Sequence, residues 1–130
     1  MKQSETGALH KDNRQPAIRV MLLPRDTNAA GTIFGGIIMS YIDLAGAVEA
    51  GKHTLHRIVT VAMDGVVFKH PVRVGELVSF YSSTVKVGNT SVRVHIDVEV
   101  DRKGEIIHVT KADLTFVSVD GQGNPIPLKS

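Results

Sequence analysis

The chain of 130 residues contains no cysteine and no tryptophan, and aromatic residues make up only 5% of it. The absence of cysteine excludes disulfide scaffolds, thiolate nucleophiles, zinc fingers and iron–sulfur sites. Few aromatic side chains, together with the lack of a long basic run, disfavour a protein that stacks on the bases of nucleic acid. We therefore expect no nucleic-acid partner.

Long hydrophobic runs are also missing. The longest apolar stretch, residues 33–48, contains an aspartate and three glycines, so it is unsuited to crossing a bilayer. The first 16 residues lack the apolar segment of a secretory signal peptide. Hydrophobic residues make up 42% of the chain and charged residues 22%, which is typical of a globular protein. We predict a cytoplasmic protein without a membrane partner, with a flexible arm at 1–15 and a single domain at 16–130.

The order of apolar and turn-forming segments predicts one helix and several strands. A short apolar run at 17–24 indicates a strand, and apolar residues at helical spacing indicate a helix over 33–53 that Thr32 would cap. Four further strands, joined by short turns, are predicted at 57–68 (with Gly65 as a possible bulge), 76–87, 90–101 and 106–119. This order is typical of an α+β fold.

The predicted helix has hardly any charge on either face. Its core-facing stripe is predicted to contain Phe34, Ile37, Ile38, Tyr41, Ala45 and Val48. The opposite face collects Gly36, Met39, Asp43, Gly46, Ala47 and Ala50. A solvent-facing surface would carry Lys, Glu and Arg, so we predict that a partner subunit covers this face.

Asp43 is the strongest candidate for chemistry, because a carboxylate among apolar and small neighbours is costly unless it is paired or used. The alternative is a structural role, in which the acid caps a neighbouring loop or pairs with an arginine of a partner. Gly35 and Gly36, near the helix start, would let a ligand approach bare N–H groups and stabilise a developing oxyanion, or would simply allow tight packing. The Asn28 amide could orient a water or polarise a carbonyl, although an Asx turn is the commoner use.

Two turns carry basic and hydroxyl side chains that suit phosphate groups, although ordinary solvated loops have the same composition. Their residues are Lys69, His70 and Arg73 in the first turn, and Lys86, Asn89, Thr90 and Ser91 in the second. Glu49, His53 and His56 have a spacing seen in metal sites, but Gly51 interrupts the helix, so we predict no metal. His95 is expected to be a solvated residue on the polar face of its strand.

Several of these motifs occur together, in an order typical of one family. The segments are Pro24–Asn28, Gly31–Gly36, Met39–Asp43, Ala45–Gly46, Val59–Val61, Phe68–Val72 with Gly75, and Gly88–Val92. In this order they resemble the hotdog-fold acyl-CoA thioesterases, in particular the bacterial short acyl-CoA hydrolases and the brain-type acyl-CoA hydrolases. The resemblance extends over about residues 17–128.

This resemblance implies a hotdog fold, in which an antiparallel sheet wraps one long helix. It implies a homodimer, assembled further as a trimer of dimers, that hydrolyses acyl-CoA to a free acid and CoA without a cofactor beyond the CoA moiety of the substrate. The family's acid corresponds to Asp43, its helix-start glycines to Gly35 and Gly36, and its loop asparagine, donated by the other subunit, to Asn28. The two basic turns would hold CoA phosphates. His70 replaces the arginine of many members and is a weaker fixed cation at neutral pH.

Three other functions remain open on the sequence. A non-catalytic hotdog regulator that binds acyl-CoA would keep the tunnel but has no need of Asp43. A hydratase or dehydratase of the same architecture would pair an acid with a histidine at the helix start, but no histidine lies between His10 and His53. A purely structural oligomerisation domain would not explain a single helix acid beside glycines.

Overall fold

The computed structural model describes residues 14–129, and it contains one α-helix and five strands. In chain order these are β1 (Ile18–Met21), α1 (Gly35–Ala50), β2 (Arg57–Asp64), β3 (Leu77–Val87), β4 (Ser91–Arg102) and β5 (Glu105–Val119). The strands pair antiparallel in one sheet, in the order β1-β3-β4-β5-β2, and the sheet curls around α1. The predicted α+β class and the order of its elements are confirmed.

Strand β4 forms the centre of the core. Its inward-facing residues, Val92, Val94, Ile96, Val98 and Val100, are all 0% exposed. They alternate with polar residues because successive side chains of a strand point to opposite faces. The helix covers the apolar face of the sheet, and the polar face lies on the outside.

The face through which the helix packs on the sheet agrees with the predicted one only in part: Ile38 and Ala45 are buried, and Ile37 and Tyr41 are partly buried against the core. The buried positions of α1 are Ile38, Ile42, Ala45, Gly46 and Ala50. Gly46 lies so close to the Phe116 ring that a Cβ atom there would stand 2.9 Å from it. Phe34 and Val48, predicted to be core residues, are instead 55% and 50% exposed. The prediction is wrong at these two positions, and it missed Gly46 and Ala50, which face the sheet because small residues allow the closest approach to it.

Apolar side chains remain exposed along the free face of α1 and along β2. Leu44 and Val48 of the helix are about half exposed, as are Val61 of β2 and Val67 just beyond it. We call these four residues the apolar seam. Exposed apolar side chains grouped on neighbouring segments are typical of a protein interface.

Both ends of the helix differ from the prediction. The helix begins at Gly35, its N-cap is Phe34, and no side chain caps it. Thr32 does not cap it, because the Thr32 hydroxyl bonds to Asn28 within the preceding loop. The helix ends at Ala50, and a 3-10 turn continues over Gly51–His53.

Strand β2 is shorter than predicted and is bulged at a different place. It ends at Asp64, and Gly65 follows with a φ of +74°, a conformation that suits glycine. The register with β5 shifts between Thr60 and Ala62, so the bulge lies at Val61 and not at Gly65.

Most of the predicted N-terminal arm, residues 1–13, lies outside the described residues. Arg14, within that predicted arm, is held against the sheet: its guanidinium lies 3.0 Å from the Glu99 carboxylate and 3.9 Å from the centre of the Tyr81 ring. Within residues 14–129, no helix combines the length and apolar character needed to span a bilayer.

Candidate active site

Asp43 is half-buried on α1, where β2 runs alongside the helix. The Thr60 hydroxyl of β2 donates a hydrogen bond of 2.6 Å to Asp43 Oδ1. No hydrogen bond from residues 14–129 reaches the other carboxylate oxygen, Oδ2. Asp43 is therefore fixed by one oxygen and open at the other, the arrangement a general base requires.

Thr60 is a site residue to which the sequence analysis assigned no role. It lies directly before the bulge at Val61, and bulges redirect side chains next to functional sites. The sequence offers two signals for it: a hydroxyl within a run of β-branched apolar residues (Ile58–Val61), and a place in the Val59–Val61 segment of the family resemblance. The contact with Asp43 links positions 17 residues apart, which no local pattern reports.

The start of α1 opens into a groove of about 310 Å³, lined by Gly35, Phe68, Lys69 and His70 among others. The first N–H groups of a helix have no intrahelical acceptor and carry partial positive charge. No side chain caps this end; the Ile37 N–H donates to the Phe34 carbonyl (3.0 Å), and the N–H groups of Gly35 and Gly36 remain available to a ligand oxygen. A Cβ atom at Gly36 would lie 2.7 Å from the Phe34 ring, so position 36 tolerates a side chain only if that ring moves.

Gly35 and Asp43 lie at different heights on the helix. They are eight residues apart, which corresponds to about 12 Å along the axis. One thioester carbonyl cannot contact both within a single protomer, because hydrogen bonds extend about 3 Å. Within one protomer, Gly35 and Asp43 therefore cannot act on the same carbonyl.

Asn28 forms the Asx turn that was the commoner alternative. Its Oδ1 accepts hydrogen bonds from the backbone N–H groups of Ala30 (2.9 Å) and Thr32 (3.2 Å). Its Nδ2 donates to Thr32 Oγ1 at 3.1 Å. An amide nitrogen carries two hydrogens, so one remains for a water or a substrate oxygen.

The structure divides the predicted phosphate-binding residues into two groups. Lys69 and His70 lie in the groove at the helix start, and Arg73 is near them, bridged through its backbone to Thr32. The second group belongs to the hairpin between β3 and β4, whose Asn89 carbonyl accepts a hydrogen bond from Leu128.

Members of that second group face in different directions. Lys86 stands opposite Arg93 in the strand register, so it lies on the outer face of the sheet. Thr90 uses its carbonyl to bind Ser118, and the Ser91 carbonyl closes the hairpin through Gly88. Asn89 is exposed beside a groove that also contains His53 and Lys129.

Glu49 and His53 lie close together, and both contact the hydroxyl of Thr84. The Thr84 hydroxyl of β3 donates to Glu49 Oε2 (2.6 Å), and His53 Nε2 lies 2.8 Å from the same hydroxyl oxygen. Burial favours a higher pKa for Glu49, but hydrogen bonds from Thr84 and Lys52 outweigh it and hold that pKa below its usual value. Among residues 14–129, no three His, Asp or Glu side chains are grouped so as to hold a metal ion.

His95 is not the simply solvated residue that was predicted. Its Nδ1 lies 2.6 Å from Asp113 Oδ1 and its Nε2 lies 3.2 Å from Asp97 Oδ1, so both ring nitrogens have partners on the outer face of the sheet. Alternation within β4 placed His95 on the polar face correctly. Its contact with Asp113 could not be predicted in this way, because Asp113 belongs to the neighbouring strand β5.

The sequence model of one family, described as the thioesterase superfamily, matches residues 30–107. The chain belongs to the thioesterase superfamily. The match includes Gly35, Gly36, Asp43 and Thr60, whereas Asn28 precedes it by two residues. The predicted resemblance is thereby confirmed.

Relatives within the thioesterase superfamily are similar over most of this chain. The acyl-CoA thioester hydrolase YciA of Salmonella typhimurium is 40% identical over 116 residues, covering 85% of this chain and 87% of that protein. The structure of a hexameric hotdog fold thioesterase of Campylobacter jejuni is 46% identical, with a TM-score of 0.82, covering 90% of this chain and 92% of that one. The structure of a Staphylococcus aureus acyl-CoA hydrolase with butyryl coenzyme A and coenzyme A is 29% identical, with a TM-score of 0.79, over 87% of this chain and 70% of that one. The predicted hotdog fold is confirmed.

Proposed function

We propose that this thioesterase-superfamily chain hydrolyses acyl-CoA thioesters to a carboxylic acid and free CoA. The observation that carries the proposal is the Asp43 carboxylate, held at Oδ1 by Thr60 and open at Oδ2. The relatives support the same reaction, since the Salmonella typhimurium protein is named an acyl-CoA thioester hydrolase. The butyryl-CoA complex of the Staphylococcus aureus enzyme supports the same class of substrate.

In this proposal Asp43 acts as general base. Its Oδ2 accepts a proton from a water molecule, whose oxygen attacks the thioester carbonyl carbon. The tetrahedral intermediate then expels the CoA thiolate, and the C–S bond breaks. A thiolate is a good leaving group, so the reaction needs neither a metal nor a cofactor. A covalent anhydride on Asp43 is the less favoured route.

The thioester oxygen would be stabilised at the start of the helix. The uncapped N–H groups of Gly35 and Gly36 lie where the helix dipole favours negative charge. Because about 12 Å separates Gly35 from Asp43 along one helix, we assign the two to different protomers of each active site. Asn28 of that second protomer would use its remaining amide hydrogen to orient the water or the carbonyl.

An active site that takes Gly35 and Asp43 from different protomers requires a homo-oligomer. The apolar seam of Leu44, Val48, Val61 and Val67 offers a surface for a second copy next to Asp43 and Thr60. The Campylobacter jejuni relative is described as hexameric, which is consistent with the predicted trimer of dimers.

The test is hydrolysis of a panel of acyl-CoAs, from acetyl to palmitoyl, measured by thiol release. We expect wild-type protein to cleave at least one of them and Asp43→Asn to lower kcat by at least about 100-fold, the usual contribution of general base catalysis. The matched control is Asp64→Asn, since Asp64 is an outer-face carboxylate that pairs with Arg93. The absence of cysteine keeps the background of the thiol assay low.

Two outcomes would contradict the proposal. If Asp64→Asn lowers kcat as much as Asp43→Asn, the role of Asp43 as base is wrong. If wild type cleaves none of the panel but binds CoA saturably, the chain is the non-catalytic regulator.

A further inference from the structure

The loop between β2 and β3 is held by a pair of charged side chains outside the groove at the helix start. Arg102, at the end of β4, binds the Glu76 carboxylate through two donors: Nε donates to Oε2 (2.5 Å) and Nη2 donates to Oε1 (3.0 Å). The same Nη2 donates to the Pro71 carbonyl at 3.1 Å. Glu76 Oε1 also accepts the backbone N–H of Arg73 at 2.8 Å. The Arg102–Glu76 pair therefore fixes the backbone of the loop at two positions.

The geometry of this pair is specific, and water has little access to it. The side chains of Arg102 and Glu76 are only 20% and 14% exposed. Hydrogen bonds from Arg102 hold the pKa of Glu76 below its usual value, so the carboxylate is ionised. Two parallel bonds to one carboxylate fix its orientation, which the single ammonium of a lysine cannot do. Without Arg102, Glu76 and the Pro71 carbonyl lose these partners, and the loop must move to expose them to water.

The loop is bonded in turn to the segment that leads into α1. The Val72 carbonyl accepts the Ile33 N–H at 2.8 Å, and Thr32 forms an antiparallel bridge with Arg73. Val72 and Ile33 are 2% and 6% exposed, so this contact belongs to the core. The helix begins two residues after Ile33, at Gly35. A shift of the loop would therefore move the backbone that immediately precedes the helix start.

The same loop forms one wall of the groove at the helix start. Phe68 and Pro71 line this groove together with Gly35, and the Phe68 ring lies 3.5 Å from where a Cβ atom of Gly35 would be. Neither Arg102 nor Glu76 lines the groove. Their effect on a ligand bound there is therefore indirect and passes through the backbone of the loop.

We propose that the Arg102–Glu76 pair positions the N–H groups at the start of α1 for the thioester oxygen, acting through the loop between β2 and β3. This inference rests on the proposed function, in which Gly35 and Gly36 stabilise that oxygen. Such donors are effective because they are aimed before the charge develops, so a displaced helix start loses stabilisation of the transition state. Arg102 and Glu76 are thus positioning residues that do not touch the substrate.

The test is Arg102→Ala, assayed with an acyl-CoA that wild type cleaves. We expect kcat to fall about tenfold with KM almost unchanged, because an oxyanion is stabilised only in the transition state. Guanidinium ion at millimolar concentration should restore kcat saturably by replacing the missing group, whereas methylammonium should not. The matched control is Arg93→Ala, which removes another arginine of β4 that pairs with carboxylates, Asp64 and Asp113. This control should leave kcat unchanged.

Three results would overturn the positioning role. If Arg102→Ala lowers the urea midpoint but leaves kcat of the folded protein unchanged, the pair only stabilises the fold. If KM rises while kcat is unchanged, the pair serves substrate binding. A fall of kcat that guanidinium does not reverse, or that Arg93→Ala shares, is not specific to this pair.

If Arg102→Ala does not fold, Glu76→Gln takes its place. Glutamine has nearly the same shape and can still accept the Arg73 N–H, but it loses the charge that binds Arg102. We expect a smaller fall of kcat with KM unchanged, and an unchanged kcat would contradict the inference.

The amide resonances of Gly35 and Gly36, followed by NMR, test the same coupling without a substrate. They should shift in Arg102→Ala or Glu76→Gln and keep their wild-type positions in Arg93→Ala. If these shifts occur but wild type cleaves no acyl-CoA, the proposed function fails while the coupling to the helix start is supported. If wild type cleaves acyl-CoA but the resonances do not shift, the inference fails and the proposed function stands.

Discussion

Strand β4 runs through the centre of the sheet, and strand β2 forms one of its edges. Five inward-facing side chains of β4 are 0% exposed, and the strand pairs along its length with both β3 and β5. In β2, which pairs only with β5, Val59 and Val61 are 38% and 56% exposed and the register is broken by a bulge. The regular strand β4 supplies the centre of the core, whereas the irregular strand β2 contains Thr60, which contacts Asp43.

The difference has a physical cause. A regular strand with two neighbours has partners for its backbone hydrogen bonds on both sides and buries a full face. Every substitution on that face therefore disturbs the close packing of the core. An edge strand can bulge without losing pairs on its free side, and the bulge turns a side chain toward a ligand. If this contrast is correct, changes in β4 should affect stability and changes in β2 should affect activity.

The largest effect on stability is expected from Ile96→Ala in β4. Ile96 is fully buried, and removing its outer carbons leaves a cavity that the close-packed core cannot fill. We expect the free energy of unfolding to fall by about 2–5 kcal/mol, measured by urea denaturation, with kcat unchanged below the transition. Ile96→Val is the matched control and should cost about 1 kcal/mol. A loss below 1 kcal/mol for Ile96→Ala would show that β4 does not dominate the core.

Thr60→Val in β2 should lower activity and leave stability nearly unchanged, the reverse of Ile96→Ala. Valine has nearly the same shape but cannot donate to Asp43 Oδ1, so the carboxylate loses the partner that orients it. We expect kcat to fall about tenfold, corresponding to about 1.4 kcal/mol, with little change in the urea midpoint.

Thr60→Ser is the control for this experiment, because it keeps the hydroxyl and removes only a methyl group. It should retain most of the activity. If serine is as impaired as valine, the methyl group and not the hydrogen bond is what matters at position 60.

The smallest effect is expected from His95→Gln on the outer face of β4. Burial alone would lower the pKa of His95, but hydrogen bonds and charge from Asp113 and Asp97 raise it above the usual value. A raised pKa in the folded protein adds stability that is complete below about pH 6.5 and is lost as pH rises through the folded value.

Wild type should therefore lose stability relative to His95→Gln as pH increases from about 6.5 toward 8, by less than about 1 kcal/mol. Urea denaturation at a series of pH values measures this difference. A constant difference across that range would mean that the charge of His95 does not contribute.

The elements were predictable because each has a strong local period. Alternation over Val92–Val100 identified β4, and the turn residues between the apolar runs separated the strands. The face on which α1 packs was predictable only in part, since apolar or small residues occupy almost every position of the helix. Only contact with Phe116 on β5 shows that Gly46 faces the sheet.

The candidate site was predictable in part. Asp43 could be found because it is the single acid in the central helix segment, between Asp26 and Glu49. Thr60 could not, because its importance comes from a contact across 17 residues. The contact of His53 with Thr84 on β3 could not be predicted either, because the spacing of His53 from Glu49 indicated only a metal site.

The fold class, the order of the strands and helix, and Asp43 as the candidate acid could all be predicted from the amino-acid sequence alone. These follow from local periodicity and from the cost of an isolated charge among apolar neighbours. The folded chain was needed to show that Gly46 and Ala50 face the sheet, which hydroxyl holds Asp43, and how the basic residues divide into two groups. Each of these depends on side chains from different strands coming within hydrogen-bond or van der Waals distance, and curling the sheet around the helix is what brings them there.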